Sequence, residues 1–368
     1  MTKLLIVDDS PLMRRLLTDI FSAAGDFEVA VARSADEALR KLADAAPDVI
    51  TLDVHMPGMD GLACLDRIMI ERPTPVVMVS SLTDEGAEET LEALALGAVD
   101  FVPKPRGAIS LEIEEIAAGL VAKVRAAAAA RIPRSTRLTE RVRRRARSPI
   151  ARVSATSPAK PVSRRPGKAG IDTAGLSGIE AVLVGVSTGG PPALDRLLRP
   201  IPADYPWPIV IAQHMPAAFT GPLSRRLDRT CALVVVEIGQ AVPLEAGTVY
   251  IGRGDADILF SRRGGVPHVM AAPSDTTRLW HPSADRMVES ARSAFAPEAL
   301  IGVLMTGMGN DGAAAMSALR RDGGHVLAQD EASSVVWGMP GALVAADGAD
   351  LVLPLDELAS QLLAWAQS

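Results

Sequence analysis

Three residues of this chain have the types and settings that nucleophilic catalysis needs. Ser187 follows an apolar run in AVLVGVSTGG, His214 stands in AQHMP, and Asp311 in LMTGMGNDG. A serine hydroxyl attacks well only when a base takes its proton, and the base works best when an acid fixes its tautomer. His214, at the end of the next apolar run, is the best placed base, and Asp311 is the candidate acid. Gly185-x-Ser187-x-Gly189 fits a tight strand-to-helix turn that presents a hydroxyl. The same turn also reads as a glycine-rich phosphate loop, although it does not fit G-x-G-x-x-G and no acid closes the following strand. LMTGMGNDG admits the same double reading, and Asp311 would also serve as a plain helix cap. The other histidines are less telling. His268 and His325 open strand-like runs, while His281, before PSADRM, could border a pocket. The chain order Ser, His, Asp differs from the Ser, Asp, His order of the α/β-hydrolases, so a triad here would sit on another topology.

A second cluster is made of carboxylates. Asp8 and Asp9 follow the first apolar run and Asp53 the third. In a parallel sheet those ends converge on one rim. Three acids there repel one another unless a cation joins them, and an all-oxygen site suits Mg²⁺. Ser80 ends the fourth run and Lys104 the fifth, placing a hydroxyl and an ammonium on the same rim. An acid that accepts a phosphoryl group beside Mg²⁺ and a lysine accounts for all five residues. Each acid alone would read as a cap or a loop residue.

The elements that must position these groups follow from periodicity. Over residues 1 to about 125, short apolar runs (KLLIVDD, EVAVAR, DVITLD, TPVVMVSS, VDFVPKP) alternate with helix-period segments. Ser10 with Pro11, and Ser34 with Glu37, mark helix starts, and a last helix is expected over about Ile109 to Ala130. This is a (βα)₅ pattern, hence a doubly wound parallel sheet. From Leu176 a second α/β pattern begins, with nine strand-like runs and five helical segments. It is expected to form a mixed, mostly parallel sheet with helices on both faces.

Between them lies a different composition. Residues 131–168 hold thirteen Lys and Arg against Glu140 alone, a net of +12, so the rest of the chain carries −18 of the overall −6. Two acidic domains, 1–125 and 176–368, are thus expected to flank a basic, flexible connector over 126–175. With 368 residues and 48% apolar content, the chain can bury two cores. Two distant cysteines, Cys64 and Cys231, fit a reducing cytoplasm and read as packing residues. Acids interrupt the opening MTKLLIVDDSP, so it does not read as a signal peptide, and no apolar run is long enough to span a membrane.

Over residues 1–125 the motifs IVDDS, LDVHMPGMDGL, MVSS and DFVPKP resemble the receiver domain of bacterial response regulators. The resemblance implies that Asp53 is the phosphoacceptor. It implies Mg²⁺ on Asp8, Asp9, Asp53 and the main-chain carbonyl of His55, phosphoryl contacts from Ser80 and Lys104, and Phe101 as an aromatic switch. Over 176–368, GVSTGG, AQHMP and LMTGMGNDG resemble the catalytic domain of the chemotaxis protein-glutamate methylesterases, which are also protein-glutamine glutaminases. That implies Ser187 as nucleophile, His214 as base and Asp311 as its orienting acid. It further implies an oxyanion donor at the Met308 N–H, and Thr188 and His281 in the pocket. The expected activity is phosphorylation-controlled hydrolysis of glutamate methyl esters, and deamidation of glutamines, on chemoreceptors, needing no cofactor for the ester chemistry. The expected phosphodonor is a chemotaxis histidine kinase, and the family's receiver is expected to block the site until phosphorylated. A DNA-binding regulator using the basic connector is a competing reading, but no helix-turn-helix or aromatic-basic pattern follows the receiver, so no specific nucleic acid is expected. A nucleotide-dependent oxidoreductase built on the glycine turns is a third.

Overall fold

The computed structural model describes residues 1–81, 83–104, 112–130 and 176–367, so the connector from 131 onward lies outside it. The N-terminal part runs β1 (Thr2–Val7), α1 (Pro11–Ala24), β2 (Phe27–Ala32), α2 (Ala35–Ala45), β3 (Val49–Asp53), α3 (Gly61–Glu71), β4 (Val76–Ser80), α4 (Asp84–Leu96), β5 (Asp100–Pro103) and α5 (Glu112–Ala128). The strands form a parallel sheet in the order β2-β1-β3-β4-β5. Local signals set the helix starts. Ser10 accepts the Met13 N–H ahead of Pro11, and Ser34 accepts the Glu37 N–H while Glu37 reaches back to Arg33 N–H.

The C-terminal part begins with β6 (Ala181–Val186), α6 (Gly190–Leu198), β7 (Ile209–Gln213), α7 (Ala217–Asp228), β8 (Val234–Glu237), β9 (Val242–Pro243), β10 (Thr248–Ile251), β11 (Ala256–Arg263) and β12 (Val266–Pro273). It continues with α8 (Ala284–Ala294), β13 (Leu300–Leu304), α9 (Ala313–Arg321), β14 (His325–Gln329), α10 (Met339–Ala345), β15 (Leu351–Leu353) and α11 (Leu355–Ala366). Seven of the nine apolar runs build one wholly parallel sheet, β15-β14-β13-β6-β7-β10-β8. The other two, β11 and β12, leave it and form a separate antiparallel sheet with β9, which corrects the expectation of a single mixed sheet. The reason is the turn. Gly264 and Gly265, at φ 58° and 84°, make a two-residue link that only antiparallel neighbours can share. Helix α10 is not among the five helical segments expected from the pattern; its Pro340 sits in the first turn, where its missing N–H costs nothing.

Both parallel sheets carry a point where strand order reverses, and that is where crevices open at the carboxyl ends. It falls between β1 and β3 in the first sheet and between β6 and β13 in the second. The central strands are buried along their whole length, as strands covered on both faces must be. The last helix, α11, is anchored by Trp365, which is fully buried among Leu355, Leu358 and Leu362. Trp365→Ala is expected to cost about 3–5 kcal/mol. Thermal unfolding should show it as a fall of roughly 10 °C for a domain of this size. Among the described residues no helix is long and apolar enough to cross a membrane.

Candidate active site

Ser187 is the first residue beyond β6, and His214 the first beyond β7. The strands keep register to the pair Val186 and Gln213, and His214 N–H still bonds to the Val186 carbonyl at 3.1 Å. Ser187 and His214 therefore leave the sheet side by side. Both are nearly buried, at 9% and 8% exposure, and both line a cavity of about 310 Å³. The left-handed residue of the turn is Gly189, at φ 76°, and not Ser187; a Cβ there would also fall 2.7 Å from Val335 Cβ. Among the described residues the Ser187 hydroxyl has no hydrogen-bond partner, so it is free for a substrate carbonyl.

His214 Nε2 lies 2.8 Å from Asp311 Oδ2, while His214 Nδ1 is buried with no partner among the described residues. A carboxylate facing Nε2 keeps the proton there and leaves Nδ1 as the lone pair. Asp311 in turn sits on the N-terminus of α8. It accepts Ser283 Oγ–H at 2.9 Å, Ala284 N–H at 2.6 Å and Asp285 N–H at 3.1 Å. Burial alone would push its carboxyl up, but the bond and charge of His214, with the helix N–H groups, hold it down at about 2. Asp285 returns the favour by accepting Ala315 N–H, at 2.8 Å, in the first turn of α9. Burial, with Asp311 as a like charge nearby, pushes the Asp285 carboxyl up.

Around the serine, Ser187 N–H donates to the Thr306 carbonyl at 3.0 Å, and Thr306 Oγ1 donates to the Thr188 carbonyl at 2.9 Å. The N–H groups of Thr188 and Met308 have no acceptor among the described residues. A second imidazole, His281, lines the same cavity and lies 3.0 Å by its Nδ1 from Asp257, which is wholly buried. Burial would raise the Asp257 carboxyl, but Ser283 N–H, His281, Asp275 N–H and Arg286 together hold it below its usual range. His268 and His325 are elsewhere: the first bonds to the Val266 carbonyl, and the second packs on Trp365.

At the other switch point, oxygens of Asp8, Asp9 and Asp53 all lie within 4.8 Å of one another. Lys104 Nζ reaches Asp53 Oδ2 at 2.7 Å and Asp8 Oδ2 at 3.7 Å. Asp8 Oδ2 is buried without a hydrogen-bond partner among the described residues, and burial, with Asp53 beside it, pushes the Asp8 carboxyl up. An orphaned carboxylate oxygen in an all-oxygen cluster is what a divalent cation would satisfy, so these residues fit Mg²⁺. The His55 imidazole is 3.2 Å from Glu89 and outside the cluster, which leaves only its main-chain carbonyl for a metal. Ser80 Oγ donates to the Gly86 carbonyl at 3.1 Å. Burial pushes the Cys64 thiol up to about 12, consistent with a packing role.

Residues 182–362 match the family model for CheB methylesterase, and residues 4–113 that for the response regulator receiver domain. The protein-glutamate methylesterase/protein-glutamine glutaminase 3 of Rhodospirillum rubrum is 52% identical across 99% of this chain and 96% of its own length. The chain belongs to the CheB methylesterase family. A protein-glutamate methylesterase/protein-glutamine glutaminase 2 of Rhodopseudomonas palustris is 50% identical across 100% of this chain and 99% of its own. The CheB methylesterase catalytic domain of Thermotoga maritima, known from a crystal structure, is 34% identical, with TM-score 0.49, covering 50% of this chain and 97% of that one. As in its family, the C-terminal domain is a hydrolase domain, and a response-regulator receiver precedes it.

The receiver forms one wall of the hydrolase cleft: Val102 and Lys123 line the same cavity as Ser187 and His214. Thr188 Oγ1 donates to Asp100 Oδ2 at 2.6 Å, and Asp100 Oδ1 accepts Lys123 Nζ at 3.1 Å. Phe101, one residue on, is buried against Phe219 of α7, with ring centroids 4.3 Å apart. Sequence reasoning missed Asp100, Lys123 and Trp280, whose indole stacks on His214 at 5.4 Å and 6°. Asp100 does carry a signal, as a polar residue opening a buried strand. Trp280 carries only its place beside His281.

Proposed function

We propose that this chain removes methyl esters from glutamate side chains of chemoreceptors, releasing methanol, and deamidates receptor glutamines, in the cytoplasm and under control of phosphorylation at Asp53. The observation that carries this reading is His214, held by Asp311 on one nitrogen and without a partner among the described residues on the other, in the cavity that Ser187 lines. Ser187 Oγ attacks the ester carbonyl, and His214 Nδ1 takes its proton. The N–H groups of Thr188 and Met308 meet the oxyanion, each worth about 3–4 kcal/mol in such sites. As the tetrahedral intermediate collapses, the ester C–O bond (or the glutamine C–N bond) breaks. His214 gives the proton to the departing oxygen (or nitrogen), which leaves as methanol (or ammonia), and the acyl group stays on Ser187. A water, deprotonated by the same nitrogen, then frees the glutamate. His281, with its Nδ1 engaged by Asp257, offers Nε2 to the substrate side of the pocket.

In the receiver, Asp8, Asp9 and the His55 carbonyl would hold Mg²⁺, which when bound offsets the charge gathering on Asp53 during phosphorylation by a chemotaxis histidine kinase. Lys104 and Ser80 would turn to the phosphoryl oxygens. Ser80 would then release the Gly86 carbonyl in α4, the helix that packs against α6 and α7 of the hydrolase domain. Asp100 on Thr188 and Phe101 on Phe219 would loosen, opening the cleft.

The test is methanol release from methylated receptor membranes, with and without a small phosphodonor and Mg²⁺. Release should rise with the phosphodonor, and Asp53→Asn should remove the rise. Asp100→Ala should raise release without phosphodonor by about tenfold, since one charged hydrogen bond contributes about 1.5 kcal/mol to the closed arrangement. An unchanged rate in that variant would count against occlusion by the receiver. No release under any condition, from folded protein, would send attention back to a binding role for the basic connector.

A further inference from the structure

We propose that Gln213 is a positioning residue that sets the nucleophile and the base relative to each other; this rests on the reading of Ser187 and His214 as that pair. Gln213 is the last residue of β7 and is 1% exposed. Its Nε2 donates to the Ser187 carbonyl at 3.1 Å and to the His214 carbonyl at 3.1 Å. Both neighbours are acceptors, so only the NH₂ end of the amide can face them.

The need for such a brace follows from the topology. The β6–β7 ladder ends at Val186 and Gln213, with one further bond from His214 N–H to Val186. Beyond it the chains part, one into α6 and the other into α7. Among the described residues no main-chain bond links the two diverging turns past that point. The amide of Gln213 supplies the missing rung, and it does so at the two residues whose side chains must cooperate.

Two further features show that the site is built around this amide. Gln213 Oε1 is buried without a hydrogen-bond partner among the described residues, so the bonds this side chain makes there run through its donors. A Cβ on Gly190 would lie 1.9 Å from that same Oε1, so the first residue of α6 must be glycine for the amide to fit. A mirror of the arrangement stands on the other side. Gln329, the last residue of β14, accepts Thr306 N–H at 2.9 Å and donates to the Ser333 carbonyl at 2.8 Å. The two strands flanking the β6–β13 pair thus each end in a buried glutamine that braces an inner turn.

The experiment measures how fast Ser187 is labelled by a fluorophosphonate in the full chain, with phosphodonor and Mg²⁺ present. In that reaction Ser187 Oγ bonds to phosphorus, fluoride leaves, and His214 takes the proton, so no receptor is needed. Gln213→Met fills the same volume without donors, and Gln213→Glu keeps the shape but presents oxygens to both carbonyls. Either variant, melting above the assay temperature, should label about 10–100-fold more slowly, as expected of a misplacement near 1 Å. On methylated receptor, kcat should fall by a similar factor with KM within about twofold, a split that lost stability alone would not produce. Gly190→Ala, which pushes the amide from behind, should slow labelling in the same way. Labelling within twofold of wild type in a folded Gln213 variant overturns the proposal. Wild type that is not labelled at Ser187 overturns the nucleophile reading, and this proposal with it.

Discussion

Ser187→Ala is expected to lower methanol release by about 10⁴-fold or more at saturating phosphodonor, while leaving the fold and its thermal stability unchanged. On the proposed reading, the size follows from losing the atom that would form the acyl intermediate. What remains, the oxyanion donors and substrate binding, sustains only a modest rate above water. A 10⁴-fold loss corresponds to about 5.5 kcal/mol of barrier. Stability should hold because the hydroxyl bonds to nothing among the described residues: the structural bonds of this residue are made by its main chain, N–H to Thr306 and carbonyl to Gly190 N–H and Gln213. Methanol release and a melting curve on the same sample check both halves. Substantial release from the alanine variant would mean that another group attacks the ester.

Asp311→Asn should be nearly as inactive, about 10³–10⁴-fold down, but for a different reason and with a different signature. In the proposed mechanism its carboxylate, 2.8 Å from His214 Nε2, would fix the proton there and face the charge that develops on the ring. An asparagine NH₂ in the place of Oδ2 would meet two donors, His214 and Ala284 N–H. Unlike Ser187, Asp311 also holds structure, since it satisfies the first turn of α8. Its carboxyl is held at about 2, below the ordinary 3.8. A depressed carboxylate stabilises the fold fully above its unfolded value and loses that contribution as pH falls through its folded value. The wild type should therefore exceed Asp311→Asn by on the order of 2 kcal/mol at neutral pH. The gap should close between about pH 4 and pH 2. Two inactive variants, only one of them destabilised and only that one in a pH-dependent way, would separate the nucleophile from the orienting acid.

Much of this was legible in the chain because parallel α/β folding is written locally. Strands buried on both faces read as unbroken apolar runs, and function gathers where those runs end. That is why Asp8, Asp9, Asp53, Ser80 and Lys104 could be placed on one rim, and Ser187, His214 and Asp311 named from three separate turns. The family resemblance drew on the same turns. Some partners could not be read this way. Asp100 meets Thr188 from 88 positions away, and neither residue's neighbourhood anticipates the other. The escape of β11 and β12 from the main sheet hung on the conformation of two glycines within an otherwise ordinary strand pattern.

The sequence by itself determined which residue types stand at the strand ends, and hence the chemistry available there. The tertiary structure alone decided how those ends work together. It chose which nitrogen of His214 faces Asp311, stacked Trp280 on that ring, and set a glutamine amide between the Ser187 and His214 turns. It also laid the receiver's Asp100 and Phe101 against the hydrolase domain. Local preference acts over a few residues, whereas these contacts are selected by packing two cores at once, and no stretch of chain carries that information alone.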